Sequence, residues 1–132
     1  MTHTKNFTDW FSIKPKLDSL SHRPPFLNEG QIWWCSLGEN VGTEVSGKGR
    51  KFTRPAIILR KLSRHTYLVI PTSSKINQGS WYVEFLHKNK KMVACLHQSR
   101  VIDYRRVDNR IGDLDKYDFQ KVVNGFRNLF CP

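Results

Sequence analysis

A chain of 132 residues, 39% hydrophobic and 12% aromatic, is one domain's worth of globular protein, and that composition excludes a disordered polymer. Its 22 Lys and Arg against 11 Asp and Glu leave a formal net charge of +11, which favours a polyanionic partner, nucleic acid before an anionic membrane surface. No run approaches the roughly 18 apolar residues of a membrane span and no signal-peptide apolar region opens the chain, so the expectation is a cytoplasmic protein without a membrane role.

Residues 1–27 form a polar extension and linker, and 28–132 the folded domain. Within the extension Phe7, Trp10, Phe11 and Ile13 follow i, i+3, i+4 spacing. This predicts a helix from about Lys5 to Ile13 that docks on the body through its aromatic face, with Pro15 discouraging continuation. Ser19–Pro25, with its Ser, His, Arg and two prolines, reads as linker.

Gln31–Leu37 is short and rich in Trp and Ile, which favours a strand. Gly38, Gly42, Gly47 and Gly49 then punctuate a long, mobile loop of the kind that carries function. Ala56–Arg60 and Tyr67–Pro71 are strands joined by the polar turn Lys61–His65. A second loop, Ser74–Ser80, follows. Trp81–Leu86 and Met92–Leu96 flank a basic hairpin turn, His87–Lys91, and Val101–Asp103 is another short strand. Several short strands at near-regular spacing predict a small barrel or curled sheet. The period then changes. Asp115 with an acid three residues on resembles a capping box, and Phe119, Val122, Val123, Phe126, Leu129 and Phe130 keep helical spacing as a core-facing stripe.

Cys35, Cys95 and Cys131 are odd in number and show no CxxC or Cys/His metal spacing. They read as reduced, mostly packed thiols, with neither a metal nor a cofactor expected.

Between Lys48 and His65 stand seven Lys and Arg and no acid: Lys48, Arg50, Lys51, Arg54, Arg60, Lys61 and Arg64. Such a density attracts phosphates in a salt-dependent way, although a charge run is also how a solvated face looks. Arg54 stands apart, because Pro55 makes its backbone extended at the mouth of an apolar strand. A guanidinium there can grip a phosphate oxygen and stabilise charge that develops during displacement. The alternative is an ion pair with Glu44. Thr72 and Ser73 end a strand, where a hydroxyl can meet a phosphate oxygen or satisfy its own turn. Glu44 can orient the guanidinium or accept a proton. His97 suits acid–base work near neutral pH, or is structural. Trp33, Trp34, Phe52 and Trp81 can stack bases or belong to the core.

Taken together, GQIWWCSLGENVGTE, SGKGRKFTRPAIILRK, IPTSSK and HQSRVIDYRRVDNRIGDLD resemble the MazF/PemK/Kid toxin family, in particular a PemK-like branch with an N-terminal extension. The likeness runs from about Glu29 to the C-terminus. It implies an α+β fold, an SH3-like β-barrel with a C-terminal and a short N-terminal helix, usually as a homodimer. It implies a metal-independent, sequence-selective endoribonuclease acting on single-stranded RNA, whose ribose 2′-OH attacks the adjacent phosphate to leave a 2′,3′-cyclic phosphate and a 5′-OH. It also implies a cognate antitoxin, with operator DNA bound only together with it. By position, Arg54 and Thr72 match the essential arginine and threonine, Glu44 the loop glutamate, and Gln98 and Arg100 the Gln-x-Arg pair. His97 stands where many members carry an acid, and is the candidate proton-transfer group beside Glu44. Lys48, Arg50, Lys51, Phe52, Ser73, Ser74 and Lys75 complete the expected RNA-binding set. The rival readings are a silent nucleic-acid-binding relative or operator-binding regulator, and a gyrase-directed toxin on the same fold.

Overall fold

The computed structural model describes residues 4–132, so the first three residues of the expected 1–27 extension lie outside the described residues. The chain runs α1 (Phe7–Asp18), β1 (Gln31–Ser36), β2 (Thr53–Lys61), β3 (Thr66–Ser73), β4 (Tyr82–His87), β5 (Lys90–Cys95), β6 (Arg100–Asp103), β7 (Val107–Asp113) and α2 (Lys116–Phe130), with single 3-10 turns at Leu96–Gln98 and Tyr104–Arg106. All strand pairs are antiparallel, in the order β4-β5-β3-β2-β1-β7 with β6 also on β3. The seven-stranded sheet curls as a small SH3-like barrel without closing.

Strand β3 changes partner along its length. Thr66–Val69 pair with β6, whereas Thr72 and Ser73 pair with Ala94 and Val93 of β5. Thr72 therefore stands just past the point where the ladder changes hands, and β2 continues alongside on the opposite edge.

The central strands are apolar on both faces because both faces are covered. Trp33, Cys35, Ala56, Ile58, Tyr67 and Val69 point into one core, closed by Ile102, Tyr104 and Val107. Ile32, Ile57, Ile70, Ala94 and Leu96 point into the other, against Val122 of α2. Each such aliphatic side chain contributes roughly 1.5–3 kcal/mol on burial. Gly125 sets how closely α2 sits, since a Cβ there would lie 2.9 Å from both Leu96 and Val83.

Helix α2 begins as its spacing predicts, with the Asp115 carboxylate accepting from Asp118 N–H at 2.7 Å. Its stripe packs on the second core, except that Phe130 ends 48% exposed. Two of its polar residues serve the free edge of β4: Asp118 accepts from Leu86 N–H at 3.3 Å, and Lys121 donates to Glu84 C=O at 3.0 Å. Among the described residues no helix is long and apolar enough to cross a membrane.

Two expectations need correction. Helix α1 passes through Pro15 to Asp18, since the Phe11 carbonyl that loses its partner belongs to an exposed residue and the last turn still bonds from Ser19 N–H to Pro15 C=O. Only Trp10 of its aromatic face docks; Phe7 and Phe11 are exposed. Strand β7 carries no clear apolar alternation and is found only in the structure, as the outer neighbour of β1. Cys35 and Cys95 are buried free thiols, and Cys131 is an exposed one.

Candidate functional site

Arg54 is the second residue of β2, opposite Cys35 of β1. Its Nε donates to Ser46 C=O at 2.8 Å and its Nη1 to Thr72 C=O at 3.2 Å. Two carbonyls thus hold the fork from either side. Burial, the larger influence, lowers the pKa of the guanidinium, and the neighbouring Cys95 acts the other way. An arginine so held remains a cation near neutral pH. The Cys95 thiol, in turn, is pushed up by burial and drawn back by Arg54.

Thr72 is fully buried, and its hydroxyl donates to Pro55 C=O at 2.8 Å. The strand-end hydroxyl is therefore satisfied across the β2–β3 pair, and the Thr72 carbonyl holds Arg54. Both residues line an open cleft of about 410 Å³ together with Trp34, Lys48, Ser73, Ser74 and Lys90. The cations, hydroxyls and indole of that wall are what a nucleotide presents partners for: phosphate to the first two, a base to the third.

Glu44 and His97 do not join them. They line a second cleft of about 330 Å³ with Asn40, Gln98, Ser99 and Arg100. The Glu44–Arg54 ion pair does not form; Glu44 Oε1 instead accepts from Val41 N–H at 3.1 Å and closes its own turn. Its charge raises the pKa of Arg100, against the larger lowering by burial. Arg100 Nη1 donates to Leu37 C=O at 3.2 Å. His97 is gripped by rings, stacked on Trp81 with centroids 4.9 Å apart and edge-on to Tyr82 at 5.2 Å. Gln98 spends both ends of its amide on the loop, accepting from Val45 N–H at 2.9 Å and donating to Thr43 C=O at 3.0 Å. The two clefts share no lining residue; the loop links them in sequence, Val45 lining the second and Ser46 holding Arg54.

The remaining predicted binders scatter. Lys48 lines the first cleft, and Ser73 and Ser74 stand at its open side, with Lys75 exposed just beyond. Arg50 faces a cavity against α1. Lys51 pairs with Asp108 at 3.6 Å and lines a separate cavity with Lys16. Phe52 offers no stacking face, because its ring is buried edge-on to Trp10, centroids 5.5 Å apart. Trp33 is also core, its indole donating to Gln31 at 3.0 Å, while Trp34 is 41% exposed in the first cleft. Sequence reasoning passed over Lys90 and Met92, which the β4–β5 hairpin swings into that cleft. Period-two alternation along β1 is the signal that separates Trp34 from Trp33. Among the described residues no three of His, Cys, Asp or Glu gather as metal ligands would.

Residues 28–130 match the family described as PemK-like, MazF-like toxin of type II toxin-antitoxin system. No curated protein matches by sequence. Solved structures share the fold. MazF from Deinococcus radiodurans superposes with a TM-score of 0.65 at 17% identity, over 83% of this chain and 97% of that one. An endoribonuclease in complex with its cognate antitoxin, from a mycobacterial species, gives 0.63 at 13% identity, over 81% and 98%. The Mycobacterium tuberculosis toxin MazF-mt6 gives 0.55 at 17%, over 76% and 95%.

Proposed function

Since this chain belongs to the PemK-like, MazF-like toxin family of type II toxin–antitoxin systems, we propose that it is a sequence-selective endoribonuclease that cuts single-stranded RNA in the cytoplasm without a metal ion. The observation that carries the reading is the direct Arg54–Thr72 hydrogen bond in a cleft walled by Lys48, Lys90, Ser73, Ser74 and an exposed indole.

In this reading the ribose 2′-oxygen attacks the adjacent phosphorus. The O2′–P bond forms, the P–O5′ bond breaks, one proton leaves the 2′-OH and one reaches O5′. The products are a 2′,3′-cyclic phosphate and a 5′-OH. Alignment and charge stabilisation are what such a displacement asks of the protein. Arg54, with Nε and Nη1 fixed, presents Nη2 to the charge growing on the non-bridging oxygens. The Thr72 hydroxyl, buried on Pro55 C=O, holds the β2–β3 wall behind those oxygens, and the Thr72 carbonyl keeps the guanidinium aimed. Trp34 stacks a base, and Lys48, Lys90, Ser73, Ser74 and Lys75 follow the phosphates. Glu44 and His97, in the second cleft with Arg100, are the proton-transfer groups of this reading, which requires the RNA to span both clefts. A homodimer neutralised by a cognate antitoxin completes the reading, and operator DNA is bound only with that antitoxin. Support for the antitoxin is the mycobacterial relative's own complex with one.

Purified protein incubated with RNA in EDTA tests it. The expected products carry 5′-OH ends that ligate only after phosphorylation. Intact RNA, or cutting that chelation abolishes, overturns the proposal. Thr72→Val, which keeps the shape and removes the hydroxyl, is expected to slow cleavage about tenfold or more.

A further inference from the structure

Helix α1 precedes the span that matches the family, 28–130, yet it grips the loop on which Arg54 depends. Lys5 Nζ donates to Asn40 C=O and, at 2.9 Å, to Gly42 C=O. Asn6 N–H donates to the Glu39 carboxylate at 2.9 Å. Trp10, the buried residue of the helix, lies in a notch over Gly38, where φ is +84° and any Cβ would collide with the indole. The same indole meets Phe52 edge-on and the Arg106 guanidinium at 5.7 Å. Phe52 is itself in the left-handed region at φ 54°, which a side chain adopts only where its surroundings hold it.

The loop passes this grip onward. Gly47 N–H donates to Gly38 C=O at 2.8 Å and Asn40 N–H to Ser46 Oγ at 2.9 Å. Lys48 and Thr53 exchange two backbone bonds, at 2.8 and 2.9 Å. Ser46 C=O then takes Arg54 Nε at 2.8 Å. Every step from Trp10 to the guanidinium is a direct contact.

We propose that α1 is a positioning element for Arg54, with Trp10 as its key residue: the indole clamps Gly38 and Phe52, the clamp fixes Ser46, and Ser46 aims the guanidinium. The proposal deepens the nuclease reading above and rests on it for its catalytic consequence. Because the helix contributes no residue to the Arg54 cleft, its loss lowers the rate of the chemical step and leaves RNA affinity nearly unchanged.

The full chain is compared with Trp10→Ala, Trp10→Phe and Lys5→Ala. In Trp10→Ala, amides of residues 38–53 are expected to exchange about tenfold faster while those of Ile57 and Ile70 do not change. The Arg54 Nε–H signal in nitrogen-resolved NMR is expected to lose its protection. On RNA, kcat falls about tenfold with KM within about twofold, and Trp10→Phe recovers most of the loss. Lys5→Ala, which leaves the packing intact, gives a smaller change in the same direction. Unchanged loop amides or an unchanged Arg54 signal overturn the proposal, as does core exchange that accelerates in step with the loop, or a raised KM at constant kcat. If the unaltered chain cuts no RNA, the nuclease reading alone fails, and the exchange and Arg54 signals still decide whether α1 positions the loop.

Discussion

The two clefts are held together by different means. Arg54 and Thr72 sit on neighbouring strands, placed by ladder pairs with Cys35 and Ala94. Glu44, His97 and Gln98 sit on a loop and a single 3-10 turn, placed by side chains bonded to backbone and by stacked rings. The backbone of a strand residue stays in place when a neighbouring side chain is altered, whereas a group on a loop moves with every pin removed. A substitution in the first cleft therefore tests one group at a time, and one in the second also moves its neighbours.

The largest break in that contrast comes from Arg54→Ala. Single-turnover RNA cleavage is expected to fall by about 10²–10³, some 3–4 kcal/mol, with little change in the thermal midpoint. Arg54→Lys falls nearly as far, because one ammonium cannot span Ser46 C=O and Thr72 C=O and still face a phosphate in a fixed plane. A lysine variant at near-normal rate would show that the strand-held fork is unnecessary.

Behind the same strand pair lies Cys35, whose thiol burial pushes up from 9.0 to about 12, against the pull of Arg100 and Arg106. Between those values the unfolded chain has given up its proton and the folded one has not. The contribution is whole below pH 9.0 and is lost as pH climbs toward 12. The unfolding free energy from urea titration is expected to fall by about 2 kcal/mol between pH 9.0 and about pH 10.5, a fall that Cys35→Ala does not show. Parallel pH profiles for the two proteins would contradict this.

In the loop-built cleft, Gln98→Ala removes the bonds to Val45 and Thr43 together and is expected to slow cleavage about tenfold. Gln98→Glu keeps the acceptor for Val45 N–H, loses the donor to Thr43 C=O, and falls between. Equal rates for all three would mean that the loop needs no such pin. The smallest effect separates cations. Lys90→Ala lowers the salt dependence of RNA binding by a slope of about 0.7. Lys51→Ala leaves it unchanged, since Lys51 is turned to Asp108 outside the cleft.

The strand-built half was the more legible in sequence. Continuous apolar runs in β2 and β3 announce strands covered on both faces, and the Arg-Pro and Thr-Ser at their ends mark where Arg54 and Thr72 emerge. The helical stripe of α2 and its Asp115 cap carry their own period. The loop-built half depends on bonds between residues far apart in sequence, Gln98 with Val45 above all, so nothing local shows that Glu44 turns from Arg54 toward Arg100. Phe52 looks like a stacking ring in a basic loop until Trp10 covers it. Strand β7 is polar because its outer side meets solvent, and backbone pairing with β1, not apolar pattern, defines it.

The service that α2 gives to β4 has a consequence for how copies of this chain coexist. A bare outer strand displays a row of amides and carbonyls on which a stranger's strand can polymerise. Asp118 occupies the Leu86 amide and Lys121 the Glu84 carbonyl, so two groups of that row are answered from within. Stripping these two side chains would bare both groups to the strand of another copy.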